Sequence, residues 1–257
     1  MEELDILQLP DNGPVALIDA DSLLYYEMGK PTLEEAIEGI NNRLFHMLAM
    51  CGTSRFAGFL TLSRCFRYKV AETKSYKHNR KGGSKPPIFY ALREYVQQEW
   101  GFTHVPGLEA DDLVAVYAKP SGTVICSPDK DVLYQVAGKH FNFRTSEFVK
   151  TSKLDANRFL WKQTLMGDPT DGIGGIPKVG PKTADKLLNK IKVGFEKVVL
   201  EKYVEKFGYY EGVCKFTETF KLVHILKTTD QVKDATGIDL EPLAITDVKH
   251  LNITYAS

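Results

Sequence analysis

The sequence lacks the cysteine patterns that mark zinc sites and disulfide frameworks. Its four cysteines are scattered, without a CxxC pair or a histidine at metal-ligand spacing. This distribution argues against zinc and favours reduced thiols in the cytoplasm. The chain has no apolar run near the ~18 residues needed to cross a bilayer, and its acidic start, Met1–Asp5, lacks a signal-peptide pattern. We therefore expect a cytoplasmic protein with no membrane partner.

An excess of charge of either sign is also absent, since the 257 residues include 33 basic and 33 acidic side chains. Residues 64–85 break this balance, because they contain eight cations and one acid, Glu72. Phe66, Tyr68 and Tyr76 lie between the cations. Cations that bind phosphates, interleaved with rings that stack on bases, are typical of single-strand nucleic-acid binding. A solvated basic loop is the alternative interpretation of this run.

Two short apolar runs that end in acids predict buried strands. Val15–Ile18 leads into an Asp-x-Asp motif at 19–21, and Thr123–Cys126 leads into another at 129–131. Because functional groups of open α/β sheets lie at the carboxyl ends of the strands, these acids are candidates for one site.

Apolar spacing predicts the other elements. It indicates a helix over Thr32–Met50, a second strand over Phe56–Leu62, a short strand at Phe102–Val105 and a helix over Asp155–Met166.

The order of these elements predicts the domain organisation. Strands and helices alternate as far as Val149, and helices dominate afterwards. The predicted fold is α/β, with a mainly parallel central sheet flanked by helices over residues 1–150, including the basic loop 64–87. A helical region follows over 151–257.

The segment Met166–Ala184 combines two acids with a tight turn. Asp168 and Asp171 precede the apolar turn Ile176–Gly180, and Pro181 suits the first position of a new helix. Unpaired N–H groups at the start of a helix favour a phosphate. A carboxylate pair beside such a turn suggests metal-dependent chemistry on a phosphodiester backbone. A Gly/Pro-rich surface loop is the alternative.

Eight acids from four segments are candidates for one metal site, with Asp21 nearby. They are Asp19, Glu109, Asp111, Asp112, Asp129, Asp131, Asp168 and Asp171. Carboxylates held close together repel one another, and divalent cations relieve the repulsion. An all-oxygen ligand set favours magnesium or manganese over zinc. Two such ions ~4 Å apart can activate a water and stabilise the attacking and leaving oxygens of a phosphodiester.

Five motifs carry a family resemblance. They are Leu17-Ile18-Asp19, Tyr76-Lys77-His78-Asn79-Arg80, Glu109-Ala110-Asp111-Asp112, Ser127-Pro128-Asp129-Lys130-Asp131, and Gly167-Asp168-Pro169-Thr170-Asp171-Gly172 with the turn that follows. In this order they resemble the 5′-nuclease family, which includes flap endonucleases, the 5′-exonuclease domain of bacterial DNA polymerase I and bacteriophage 5′-exonucleases. The match covers about Val15 to Leu188 and looks most like the phage branch. It implies a PIN-like core and a helix–three-turn–helix element over 166–190.

The resemblance also implies residue roles. One metal ion would be held by Asp19, Glu109, Asp111 and Asp112, and a second by Asp129, Asp131, Asp168 and Asp171. Lys77 and Arg80 would lie beside the scissile phosphate as catalytic residues together with Asp19 and Asp129, and Tyr76 would be available to stack on a terminal base. The implied DNA contacts are Tyr76, Lys77, Arg80, Lys81, Lys178, Gly180, Lys182 and Thr183. Backbone carbonyls of Ile176 and Val179 would hold a monovalent cation, potassium in much of the family.

The implied function is a magnesium-dependent 5′-nuclease that hydrolyses DNA by a two-metal mechanism during DNA replication. Its substrates would be DNA with 5′ ends, nicks or flaps, cut as a 5′-3′ exonuclease, a flap endonuclease or both. RNA–DNA hybrid is a further candidate substrate. We expect a monomer, acting in the bacterial host cytoplasm if the chain is phage-encoded.

Two departures from the family pattern leave alternatives open. The second strand runs from Phe59 to Ser63 without the acid that commonly contributes to the first metal site, and the segment Arg80–Pro87 is short for an arch that threads single strands. A structure-specific DNA-binding protein with an impaired metal site is therefore one alternative. Asp19-Ala20-Asp21 with Gly167-Asp168 also resembles haloacid-dehalogenase phosphatases, but in those the late Gly-Asp motif follows a strand, and helix is predicted here.

Overall fold

In this computed structural model, the described residues are 8–10, 12–62, 64–80 and 84–253. They belong to two compact units. We call Met1–Ser63, Ser84–Thr151 and Leu226–Ser257 the sheet unit, and Arg64–Gly83 and Ser152–Ile225 the helical unit.

Within its described residues, the sheet unit has one six-stranded sheet in the order β5-β4-β3-β1-β2-β8. The strands are β1 Val15–Asp19, β2 Arg55–Phe59, β3 Thr123–Cys126, β4 Gly138–Asn142, β5 Glu147–Thr151 and β8 Thr246–Asp247. The four central strands run parallel, and β5 and β8 pair antiparallel at the two edges. The predicted α/β fold with a mainly parallel central sheet is confirmed.

The strand register brings the carboxyl ends of β1, β2 and β3 to one edge. Asp19 pairs with Phe59 of β2, and Ile18 pairs with Cys126 of β3. All five residues of β1 are buried, as expected for a parallel strand covered on both faces. The β2 strand ends at Phe59 rather than at the predicted Leu62, because the Leu60 N–H donates to the Thr103 carbonyl at 2.9 Å.

The helices in the described part of the sheet unit are α1 Ala20–Glu27, α2 Leu33–Cys51, α4 Pro87–Gln98, α5 Ala110–Tyr117, α6 Lys130–Gln135 and α11 Thr229–Thr236. Of these, α2 confirms the helix predicted over Thr32–Met50. In α2 the Thr32 hydroxyl accepts from the Glu35 N–H, and Gly52 ends the helix in the left-handed conformation, with φ 67°. The predicted strand at Phe102–Val105 is reduced to one bridge between Phe59 and Thr103.

The helical unit packs around an aromatic cluster. Its elements are α3 Arg67–Val70, α7 Lys153–Met166, β6 Gly167–Asp168, β7 Ile173–Gly174, α8 Pro181–Leu188, α9 Phe195–Phe207 and α10 Tyr209–Val223. The ring of Trp161 stacks on Phe220 at 5.1 Å and on Phe216 at 6.0 Å. Since α7 is helical up to Met166, the segment before Gly167 is a helix, as predicted, and not the strand of a haloacid-dehalogenase phosphatase.

The two units divide the chain differently from the predicted domains at two places. The basic segment 64–83 belongs to the helical unit, because the guanidinium of Arg67 donates to the carbonyls of Leu222 and His224 at 3.2 and 2.7 Å. Residues 226–257 belong to the sheet unit, because β8 pairs with β2. Among the helices in the described ranges, none combines the length and apolarity that crossing a membrane requires.

Candidate active site

Asp19 lies at the centre of the carboxyl edge of the sheet, where it ends β1 and caps α1. Its side chain is 2% exposed and accepts from the Asp21 N–H at 3.2 Å. Its Oδ2 accepts from the Ser127 hydroxyl at 2.8 Å. Since Ser127 directly follows β3, this hydrogen bond joins the ends of two neighbouring strands.

Asp129 and Asp131 follow β3 at the same edge. The Asp129 N–H donates to the Ser127 hydroxyl at 3.1 Å, and the Asp129 carboxylate caps α6 by accepting from the Asp131 N–H at 2.7 Å. Asp131 is paired with the ammonium of Lys130 at 2.7 Å. Ser127 therefore holds the backbone of Asp129, and the Asp129 carboxylate holds the backbone of Asp131.

The first turn of α5 supplies three more predicted ligands, Glu109, Asp111 and Asp112. Asp112 is fully buried, and its Oδ2 accepts from the Glu109 N–H at 3.3 Å. Its Oδ1 accepts from the Leu226 N–H at 3.0 Å. Asp112 thus faces the protein interior on this turn.

Burial and neighbouring acids raise the pKa values of Asp19 and Asp111 at this edge. Burial, followed by the neighbouring charge of Asp21 and a smaller contribution from Asp129, raises the pKa of Asp19 from 3.8 to about 8. Burial and the charges of Asp19 and Asp129 raise the pKa of Asp111 well above its usual value. The sheet unit therefore brings Asp19, Asp111 and Asp129 close enough to repel one another strongly.

Thr61 stands where the second strand lacks an acid, and it holds Asp21. The Thr61 N–H donates to Asp21 Oδ1 at 3.0 Å, and the Thr61 hydroxyl accepts from the Ala110 N–H at 2.9 Å. The Thr61 carbonyl accepts from Arg93 at 3.2 Å. Burial raises the pKa of Asp21, and the hydrogen bonds from Thr61 oppose this rise. Thr61 therefore connects Asp21 to the start of α5.

Sequence reasoning missed Ser127, Thr61 and Arg93. Ser127 lies inside a quoted motif, and Thr61 follows the second strand, so their positions after strands were the available signal. Arg93 lies within a helix and carried no signal.

The helical unit holds the other two predicted metal ligands, of which Asp171 lies among cations. The carboxylate of Asp171 accepts from the Tyr76 hydroxyl at 2.9 Å, is ion-paired with Arg80, and lies 3.8 Å from the Lys77 ammonium. Asp168 is 6% exposed and accepts from the Thr170 N–H at 2.8 Å.

Tyr76 differs from the expectation that it is available for base stacking. It is 5% exposed, its ring packs edge-on against Tyr68 at 5.3 Å, and the ammonium of Lys77 lies over it at 4.8 Å. In this structure its ring is part of the packing below Asp171. Lys81 lies outside the described residues.

A close approach of two backbone segments shapes the loop that carries Asp168 and Asp171. Gly167 has φ 73°, and a Cβ there would come within 2.3 Å of the Ile173 carbonyl oxygen. A Cβ on Gly175 would meet the Met166 carbonyl carbon at 2.2 Å. Glycine is therefore required at both positions for the β6–β7 pairing that presents the two acids.

The predicted DNA-binding turn follows directly. The Ile176 N–H donates to the Leu165 carbonyl at 2.9 Å, and the Val179 N–H donates to the Ile176 carbonyl at 3.1 Å. Gly180 caps α8, which begins at Pro181 as predicted. Lys178, Lys182 and Thr183 are exposed around this helix start. Lys178 has φ 68°, which is uncommon for a residue with a Cβ.

The metal ligands remain predictions. Within the described part of the chain, no group of three or more His, Cys, Asp or Glu side chains is arranged so that it could hold a metal ion. The predicted ligands at the sheet edge are nevertheless all carboxylates, and the raised pKa values of Asp19 and Asp111 reflect burial and repulsion that a bound cation would relieve. A single site of eight carboxylates stays a prediction.

No protein-family model matches the chain. A 5′-3′ exonuclease of Buchnera aphidicola is 32% identical over 148 residues, which are 49% of this chain and 49% of that protein. The exodeoxyribonuclease of enterobacteria phage T3 is 34% identical over 123 residues, 45% of this chain and 40% of that protein. DNA polymerase I of Pseudomonas aeruginosa is 30% identical over 219 residues, 72% of this chain and 23% of that protein. The chain thus spans about half, or less, of the length of these relatives.

Two solved structures share the fold. A bacteriophage T5 protein co-crystallised with metal ions has a TM-score of 0.68 at 16% identity, with 86% of this chain and 92% of that chain covered. The catalytic core of Rad2 in complex with DNA has a TM-score of 0.52 at 13% identity, with 93% and 82% covered. At these identities the likeness shows a common fold.

Proposed function

We propose that this chain, whose relatives and fold confirm the predicted resemblance to the 5′-nuclease family, is a magnesium-dependent nuclease that hydrolyses DNA. The observation that carries the proposal is the buried carboxylate edge, where Asp21 and Asp129 raise the pKa of Asp19, and Asp19 and Asp129 raise that of Asp111. Carboxylates that repel one another in this way are suited to divalent metal ions. Relatives named 5′-3′ exonuclease and exodeoxyribonuclease support the reaction class.

Seven of the eight predicted acids, all but Asp112, are proposed to hold two ions. In the sheet unit they are Asp19, Glu109, Asp111, Asp129 and Asp131, and in the helical unit Asp168 and Asp171. Magnesium keeps several waters and commonly takes one or two protein carboxylates, so neighbouring pairs of these acids are sufficient donors. The chemistry that such ions supply when bound is activation of a water and stabilisation of the attacking and leaving oxygens.

Lys77 and Arg80 are proposed to neutralise the scissile phosphate. Both cations lie at Asp171 in this structure, which supports their placement beside an oxyanion. An arginine binds a phosphate with the same planar fork of donors that it presents to a carboxylate. Tyr76 would orient Asp171 through its hydroxyl rather than stack on a base.

The turn before α8 is proposed to hold duplex DNA. Exposed Lys178 and Lys182 would contact phosphates, and Gly180 and Thr183 would allow the backbone of the helix start to approach one. A potassium ion at the carbonyls of Ile176 and Val179 is part of the same proposal. Substrates are DNA with 5′ ends, nicks or flaps, and RNA–DNA hybrid, bound by a monomer.

Cleavage of defined substrates tests the proposal. Flap, nicked and RNA–DNA duplexes, each labelled at the 5′ end, are incubated with the full chain and magnesium, with EDTA as the metal-free arm. We expect magnesium-dependent products whose sizes distinguish removal of single nucleotides from release of the whole flap. Asp129→Asn and Asp168→Asn should abolish cleavage and retain DNA binding. Cleavage by either variant at the wild-type rate would refute the assigned site.

Magnesium-independent DNA binding without cleavage is the second candidate function. Two observations favour it: Thr61 stands at the end of the second strand where an acid was expected, and no closed group of three ligands is present among the described residues. The same experiment separates the two functions, because a protein that only binds DNA would leave all three substrates uncut with magnesium and with manganese.

A further inference from the structure

Three acids lie within four residues at the start of α5, and the structure places one of them differently from the others. The charge of Glu109 contributes to the raised pKa of Asp21, and Asp111 is coupled to Asp19 and Asp129 across the sheet edge. Asp112 is fully buried, with both carboxylate oxygens accepting backbone N–H groups. On this turn, Asp112 therefore faces the protein interior, whereas Glu109 and Asp111 interact with the other acids of the sheet edge.

The two hydrogen bonds of Asp112 join chain segments that are distant in sequence. Oδ2 accepts from the Glu109 N–H at 3.3 Å and thereby closes the first turn of α5. Oδ1 accepts from the Leu226 N–H at 3.0 Å, where the chain re-enters the sheet unit. A carboxylate bound to two backbone donors is held in one orientation, and each donor would lose its partner if the carboxylate turned away.

The segment after Leu226 extends the connection to α6. Lys227 Nζ donates to the buried side chain of Gln135, the last residue of α6, at 3.4 Å. Burial lowers the pKa of Lys227 to about 8, and the charge of Asp112 opposes this shift. Leu226 and Lys227 therefore contact both short helices whose first residues carry the proposed metal ligands.

We propose that Asp112 is a positioning residue and not a metal ligand: by binding the Glu109 and Leu226 N–H groups, it fixes the first turn of α5 and so the carboxylates of Glu109 and Asp111. The inference rests on the proposed function, since it concerns which acids of that site meet the ions. It replaces the sequence expectation that all three acids of α5 bind the first ion. Removing Asp112 would leave two backbone donors without their acceptor and the buried Lys227 without a neighbouring negative charge, whereas removing Asp111 relieves repulsion.

Metal binding by the DNA-free full chain tests the inference. Electron paramagnetic resonance of free Mn²⁺ measures how many ions each variant binds and how tightly. The variants are Asp112→Asn and, as the matched control, its neighbour Asp111→Asn. We expect Asp112→Asn to keep the wild-type number of bound ions but to bind them about tenfold more weakly, because the carboxylates of Glu109 and Asp111 lose the group that orients them. Asp111→Asn, which removes a proposed ligand, should lose a bound ion. Loss of an ion in Asp112→Asn, or an affinity equal to that of wild type, would overturn the inference.

Thermal unfolding in EDTA at pH 8 gives a second readout that needs neither metal nor activity. Asp112→Asn should unfold at least ~3 °C below wild type, because a buried donor loses its acceptor. Asp111→Asn should unfold at or above the wild-type temperature. An unchanged Asp112→Asn midpoint would overturn the positioning role. If Asp112→Asn does not fold, Lys227→Met serves instead, because it removes the cation beside Asp112. The number of bound Mn²⁺ ions should then be unchanged and their affinity should not increase, whereas tighter binding would show that Asp112 itself faces an ion.

The two readouts also separate this inference from the proposed function. A wild-type chain that binds no Mn²⁺ would refute the metal-dependent nuclease, while the EDTA comparison of the two variants would still decide the role of Asp112.

Discussion

Asp19 of the sheet unit and Asp171 of the helical unit have the same predicted role, yet the charges around them are opposite. Asp19 has the acids Asp21 and Asp129 as neighbours and a neutral donor in Ser127. Asp171 has two cations, Lys77 and Arg80, and the Tyr76 hydroxyl. Among the described residues, the surroundings of Asp19 therefore disfavour its negative charge, whereas those of Asp171 compensate it.

This difference indicates how each acid meets a metal ion. A cation added beside Asp19 neutralises repulsion already stored in the fold, so its binding stabilises the sheet unit. A cation at Asp171 must compete with the ammonium of Lys77 and the guanidinium of Arg80. We expect a DNA phosphate to accept those two side chains when Asp171 releases them, which would couple metal binding to substrate binding.

The largest expected effect is the contrast between Asp19→Asn and Asp171→Asn. Both variants should lose cleavage by at least about 100-fold, because several kcal/mol of metal-dependent stabilisation is removed. In EDTA at pH 8 their stabilities should move in opposite directions. Asp19→Asn should raise the unfolding temperature by removing a buried repulsion, and Asp171→Asn should lower it by weakening three interactions. Steady-state cleavage and differential scanning calorimetry measure the two effects.

Glu205→Gln is the matched control for that contrast. Glu205 is an exposed acid paired with Lys202 on α9, so its loss should leave both cleavage and the unfolding temperature near wild type. Stability changes of the same sign in Asp19→Asn and Asp171→Asn would show that the two acids do not differ in the way the structure indicates.

A smaller effect is expected in the pH dependence of stability without metal. The pKa of Asp19 rises from 3.8 to about 8 on folding, so the folded chain binds more protons than the unfolded chain between these values. Stability contributed by Asp19 is therefore complete below pH 4 and is lost as the pH rises through 8. In EDTA, the unfolding temperature of wild type minus that of Asp19→Asn should fall over this range. Magnesium should raise the unfolding temperature of wild type more at pH 8 than at pH 5.

A difference between wild type and Asp19→Asn that stays flat from pH 4 to pH 8 would contradict this prediction, because it would show that folding does not raise the pKa of Asp19.

The sheet edge could be predicted from sequence because its signals are local. Val15–Ile18 and Thr123–Cys126 are apolar runs that end in acids, and the structure makes both of them buried parallel strands. The start of α8 at Pro181 could also be predicted, since proline suits the first turn of a helix. Patterns within about ten residues of one another were sufficient for these elements.

The orientation of individual acids could not be predicted in this way. Asp111 and Asp112 are adjacent in sequence, and what separates their surroundings is the Leu226 N–H, 114 positions away. Likewise, Arg67 binds the Leu222 carbonyl, 155 positions away, and this contact assigns the basic segment to the helical unit. Contacts at such separations leave no periodic pattern around either partner.

The smallest expected effect concerns the proposed contact between the helical unit and duplex DNA. The cations proposed to make this contact are Lys178 and Lys182, which are exposed around the start of α8. Lys178→Gln and Lys182→Gln keep the side-chain stems and remove the charges. Each should reduce the slope of log affinity against log salt by about 0.9, the value for one phosphate contact, with nicked duplex in EDTA so that no cleavage occurs. Fluorescence anisotropy at several salt concentrations measures the slope.

Lys202→Gln is the control for the salt experiment, because Lys202 lies on α9 and is paired with Glu205 at 2.7 Å. Its slope should equal that of wild type. If Lys178→Gln and Lys182→Gln also keep the wild-type slope, the turn before α8 does not grip the duplex. The phosphate contacts of the helical unit would then be confined to the cations around Asp171, and that one acid would organise both metal and DNA binding in this unit.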